Sequence, residues 1–72
     1  MPRLPRLSAR ETISALERLG FVQLRQRGSH VVLQRGRNTC TVPLHRELKL
    51  GTLSGVLSQA DISVEQLMNA LK

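Results

Sequence analysis

Two histidines, one cysteine and a set of arginines are the side chains of this sequence best suited to chemistry. His30 directly follows Gly28 and Ser29, and Arg25 and Arg27 stand just before that turn. An imidazole titrates near neutral pH, so it can accept a proton from a hydroxyl and give one back. Guanidinium groups beside it can hold a phosphate and offset the charge that builds on it during displacement. RNA brings its own nucleophile in the ribose 2′-OH, so a histidine among arginines is a sufficient set for cleaving it without a metal. A histidine on a basic surface can equally be one polar contact among several, and position alone leaves both readings open.

The other candidates are weaker. His45, in Val42-Pro43-Leu44-His45, is placed to protonate a leaving 5′-oxygen or to bond nearby backbone. Lys49, Arg25 and Arg27 are the cations expected nearest a phosphate, and otherwise they form a solvated polar face. Gly28 and Ser29 read first as a tight turn and second as backbone N–H groups offered to an anion. Cys40 falls at an inward strand position that suits a small core residue better than a nucleophile. One cysteine, two histidines and five scattered acids give no spacing that would hold a metal, so no cofactor is expected.

Charge narrows the class of partner. The 72 residues carry a net charge of +6, and the first fifty hold ten of the eleven basic residues against three acids. Such a balance points to a polyanionic partner, with nucleic acid or a membrane surface as candidates. A chain of this length buries about 60% of its unfolded surface, enough for one small core and too little for a multi-cofactor enzyme. A single cysteine allows no internal disulfide, and no apolar run has the length of a signal peptide or a membrane span. Cytoplasmic residence and no membrane contact are the expectations.

Elements must position these residues. Ser8 and Glu11 form a capping box, so a helix is expected from about Ala9, with Ile13, Leu16 and Leu19 on its apolar face and Gly20 ending it. From Phe21 the period becomes two, and three strands follow: one to Arg27, one over His30 to Arg35, one over Thr39 to Pro43. Alternation puts Val22, Leu24, Val31, Leu33, Cys40 and Val42 toward the helices, with Gln23, Arg25, Arg27, His30, Val32, Gln34, Thr39 and Thr41 on the opposite face. Leu44 to Gly51 reads as a loop, Thr52 as the cap of a second helix, and Ser63 with Gln66 as the capping box of a short third. The expected fold is α+β in two layers, α-β-β-β-α(-α), with a three-stranded antiparallel sheet. Residues 1–72 form one domain, of which 1–7 are a basic arm expected to be flexible.

Several short motifs in series resemble one family. Gly20-Phe21, Gly28-Ser29-His30, Val42-Pro43-Leu44-His45, Glu47-Leu48-Lys49, Gly51-Thr52-Leu53 and the stretch from Val56-Leu57 to Ile62-Ser63 together look like the HicA toxins of toxin-antitoxin systems. The likeness runs in order over about residues 9 to 68. It implies a fold similar to the double-stranded-RNA-binding domain and an mRNA-cleaving activity whose essential histidine corresponds to His30. It also implies a HicB-type antitoxin that covers the His30 face and itself carries the DNA contact. Val31, where a second histidine or an aromatic often stands, a shortened Pro43 to Glu47 loop and Asp61 in place of a frequent glycine depart from the pattern. The alternative is a basic module that binds RNA or a partner without cutting. With Phe21 the only aromatic residue, base-stacking platforms are missing and sequence specificity is expected to be low.

Overall fold

The computed structural model describes residues 3–71. The first helix, α1 (Ala9–Arg18), starts where its capping box dictates. Ser8 Oγ accepts the Glu11 N–H at 3.1 Å and Glu11 Oε1 accepts the Ser8 N–H at 3.0 Å, so two donors that a helix start leaves orphaned are satisfied. Ala9, Thr12, Ile13, Ala15 and Leu16 form its buried face. Thr12 is admitted there because its hydroxyl donates to the Ser8 carbonyl at 2.9 Å. Gly20, at φ 100, turns the chain out of the helix in a conformation that costs other residues more.

Three strands follow in sequence order as one antiparallel sheet: β1 (Val22–Arg27), β2 (His30–Arg35) and β3 (Asn38–Pro43). The α+β order expected from the sequence is the one observed. Val31, Leu33, Cys40 and Val42 are buried under the helices. Their neighbours His30, Val32, Gln34, Thr39 and Thr41 pair across the strands on the outer face, as the alternation predicts.

β1 departs from the prediction at its first half. Gln23 lies opposite Leu33 and Arg25 opposite Val32, so Leu24 is an extra residue in a β-bulge. The bulge shifts the alternation by one. Val22 therefore stands on the outer face with Gln34, while Gln23 turns to the helix side with Leu33. Val22 and Leu24 are 62% and 50% exposed, which corrects their assignment to the core. All six residues of β1 are exposed: it is an edge strand, and α1 and α2 pack mainly on β3 at the other edge. Arg25 and Arg27, beyond the bulge, keep their expected outer face opposite Val32 and His30.

The second helix, α2 (Leu50–Ala60), begins two residues before the expected Thr52 cap. Lys49 is its N-cap and makes no side-chain bond. Packing replaces the cap: Leu48, just before Lys49, and Leu53, in the first turn and a half, are both fully buried, an arrangement that sets a helix start by apolar contact. α2 also closes the free edge of β3, since Gln59 Oε1 accepts the Thr41 N–H at 3.1 Å. The third helix, α3 (Val64–Ala70), has the Ser63–Gln66 capping box read from the sequence. Between α2 and α3, Asp61 sits at φ 55, the left-handed conformation usual for glycine.

The amino-terminal arm is tied in part to this framework. Met1 and Pro2 lie outside the described residues, Leu4 packs on the core, and Leu7 is 5% exposed. The Leu7 carbonyl accepts the Leu48 N–H at 2.7 Å, so Leu7 belongs to the core and fixes the loop before α2.

Candidate active site

The Gly28-Ser29 turn joins β1 to β2 with Arg27 and His30 as its closing pair. Gly28 is at φ 54, the sign a two-residue hairpin turn requires at its first position. No atom lies within 4 Å of where its Cβ would be, so conformation and not crowding demands glycine there. Of the two readings of Gly28 and Ser29, the turn accounts for the glycine on its own. The turn in turn sets the start of β2, and with it the outward placement of His30.

His30 is exposed on the outer face, between Arg27 on β1 and Pro43 on β3. Directly opposed residues on adjacent strands have their Cβ atoms about 5 Å apart, so the guanidinium of Arg27 and the imidazole of His30 can reach one phosphate. Arg25 continues the same row beyond Arg27.

The end of the sheet is joined to α1 by the loop after β3. The Leu44 N–H donates to the Ser29 carbonyl at 2.6 Å, and the His45 carbonyl accepts the N–H of Ala9, the first residue of α1, at 3.0 Å. His45 thus has a structural task through its backbone, while its side chain is exposed and lines a cleft of about 340 Å³ with Ser8, Ala9, Arg10, Leu44 and Arg46. A second groove of about 270 Å³ shares Arg10 and Leu44 with it and runs between α1 and β1 past Ser14, Gln23 and Gln26. His30 lines neither cleft.

The hairpin therefore brings Arg25, Arg27, Gly28, Ser29 and His30 together, and the Leu44–Ser29 bond sets His45 at the same end of the sheet. Lys49, the N-cap of α2, is exposed and, like His30, lines neither cleft; among the described residues no strand pairing or hydrogen bond ties it to the hairpin. Arg10 and Arg46 are the cations that sequence reasoning missed. Arg10 was legible only as part of the solvated face of α1, and Arg46 lay in a loop without periodicity. Their meeting depends on the Ala9–His45 backbone bond, which no local pattern announces.

Cys40 is 1% exposed, and burial pushes its thiol from the ordinary 9.0 up to about 11. It stays protonated at neutral pH and serves as a core residue. Among the described residues, no three His, Cys, Asp or Glu side chains gather into a metal-binding group. No helix of the described residues is long and apolar enough to cross a membrane.

The model of a family described as the HicA toxin of bacterial toxin-antitoxin systems matches residues 9–62 of the 72. The match begins at the first residue of α1, takes in the whole sheet and α2, and ends at Ile62. The chain belongs to the HicA toxin family. It is thus the toxin component of a toxin-antitoxin system, a kind of protein that works with an antitoxin partner. No curated protein is similar enough to count as a relative. Within this HicA chain the Gly28-Ser29-His30 hairpin, the Leu44–His45 loop and the first turn of α1 all fall inside the matched residues. α3, which closes the core with Leu67 and Ala70, lies beyond them.

Proposed function

We propose that this toxin, of the type II class, is a metal-independent endoribonuclease that cleaves mRNA and so arrests translation, with His30 as its catalytic residue. The observation that carries the reading is the exposed His30 paired with Arg27 at the hairpin end, in a chain of the HicA family. In this mechanism the imidazole of His30 takes the proton of a ribose 2′-OH. The freed oxygen attacks the adjacent phosphorus, and the bond to the 5′-oxygen breaks. The products are a 2′,3′-cyclic phosphate and a 5′-hydroxyl. Arg25 and Arg27 offset charge on the phosphorane, with the backbone of Gly28 and Ser29 close by. His45 is the candidate to protonate the leaving oxygen, and Lys49 contributes general attraction for RNA from outside the corner. The mechanism requires no cofactor.

The partner in this reading is a HicB-type antitoxin that covers the His30 face. Contact with DNA comes only through that antitoxin, and the site of action is the cytoplasm, where mRNA and ribosomes are. Antitoxin and RNA then compete for one surface, in which the row of Val22, Arg25 and Arg27 offers both apolar and cationic contacts.

The mechanism is tested by the ends of the products. Incubating the purified chain with an RNA oligonucleotide, and with the same strand made 2′-deoxy throughout, should give cyclic-phosphate ends from the first and no cut in the second. Products bearing 3′-hydroxyl ends, or cleavage of the deoxy strand, would reject the 2′-OH route.

A further inference from the structure

The two clefts beside α1 adjoin at Arg10 and Leu44, which line both, and together they make an open trough along the helix. Resting on the ribonuclease reading, we propose that this trough, on the helix side of the hairpin end, seats one unstacked nucleotide of the RNA where the strand passes round from the outer face that carries His30. Its phosphate is held by Arg10 and Arg46, and its base, guanine by preference, lies against Glu17, Gln23 and Gln26.

The phosphate end follows from charge. Arg10 and Arg46 are both exposed and line the same cleft, from the first turn of α1 and from the loop after β3. Two guanidinium groups lining one open cleft suit a phosphate better than any neutral ligand. Leu44, which lines that cleft, donates its N–H to the carbonyl of Ser29, the residue before His30.

The base end follows from size and from which hydrogen-bonding atoms are left over. The groove of about 270 Å³ has Ile13, Val31 and Leu44 as its apolar lining and is large enough for one base but not for a duplex. The bulge at Leu24 is what turns Gln23 into it, and Gln26 faces the same side opposite Val31. Gln26 Nε2 donates to the Gly28 carbonyl at 3.0 Å, which spends a donor and leaves the amide oxygen for a ligand. Gln23 Nε2 leans toward Glu17 Oε2 at 3.5 Å, which again spends a donor and leaves acceptors. This end of the groove thus holds three side-chain acceptors, the two amide oxygens and the Glu17 carboxylate, beside the second N–H of each amide. Guanine offers N1–H and the N2 amino group side by side on one edge, while adenine, cytosine and uracil each offer fewer adjacent donors.

The test uses six-nucleotide single strands differing at one base, titrated into the His30→Ala chain so that nothing is cut. The guanine strand should bind about tenfold more tightly than the adenine strand. Gln23→Ala with Gln26→Ala should remove that preference while leaving the affinity for the adenine strand in place. Arg10→Gln with Arg46→Gln should weaken every strand alike and flatten the slope of log affinity against log salt by about 0.7 for each phosphate no longer held. Arg37→Gln, in the turn at the far end of β2, should change neither. Equal binding of all bases, an unchanged preference in the glutamine variants, or an Arg37 variant as weak as the arginine pair would overturn the proposal. Loss of the antitoxin complex in the Arg10 and Arg46 variant with RNA binding intact would overturn it too, and would give the trough to the protein partner. A chain that cuts RNA without base preference sinks this inference alone. A chain that shows the preference but never cuts sinks the nuclease reading alone.

Discussion

Arg27 and His30 are a directly opposed pair that closes the β1–β2 hairpin, and both stand on the outer face of the sheet. The relationship depends on Gly28, because only a residue at ease with φ 54 lets two residues reverse the chain there.

Replacing Gly28 with alanine should therefore cost stability and activity together. Nothing crowds the added Cβ, so the cost is that of the left-handed backbone, about 1 kcal/mol. Urea unfolding should show that loss, and RNA cleavage should fall by more than the small unfolded fraction explains, because the start of β2 carries His30. A variant as stable and as active as the parent would show that the turn does not set the histidine.

Asp61→Gly should stabilise the fold. Asp61 is the only non-glycine residue at positive φ among those described, and it occupies the position after α2 that glycine fills at lower cost. A gain of about 0.5–1 kcal/mol is expected, which for a domain of this size raises Tm by several degrees. Because Asp61 is remote in sequence from the hairpin, the cleavage rate should stay the same.

Leu48→Ala should be the most damaging of these changes. Leu48 is 1% exposed, its N–H is bonded to Leu7, and with Leu53 it starts α2 in place of a side-chain cap. Removing so deeply buried a leucine costs about 2–5 kcal/mol. In a thermal melt, a shift no larger than that of a surface substitution would contradict the role given to this residue.

The thiol of Cys40 predicts a pH dependence of known sign. Burial raises it to about 11 from 9.0, so the folded chain holds the proton more tightly than the unfolded one. The resulting stability is whole below about pH 9 and is lost as pH rises through about 11. The urea midpoint should fall more steeply over that range in the parent than in Cys40→Ala. At pH 8 the thiol should resist alkylation until urea is added; rapid labelling of the native chain would count against its burial.

Much of this fold was legible because it is written in local chemistry. Ser8 with Glu11 and Ser63 with Gln66 are self-contained capping boxes, and Gly28 and Gly36 mark turns whose backbone few other residues tolerate. The outer placement of Arg25, Arg27 and His30 was legible too, since beyond the bulge the alternation of β1 agrees again with that of β2. Val22, Gln23 and Leu24 break the expected alternation because a bulge adds a residue without any turn signal, and this edge strand buries none of its own side chains to reveal the shift. The start of α2 was misread because Leu48 and Leu53 act through the core and Lys49 has none of the side-chain chemistry of a cap. Arg10 and Arg46 escaped for the same reason: a backbone bond from Ala9 to His45 brings them to one cleft.

Everything proposed for the reaction rests on His30 performing the cleavage. The decisive experiment is to incubate the chain and its His30→Ala variant with a long RNA in excess EDTA and resolve the products on a denaturing gel. The parent should cut, and the variant, folded and still bound to RNA, should not. Equal cutting by both chains would remove His30 from the chemistry, and RNA left intact by both would make the chain a binding module.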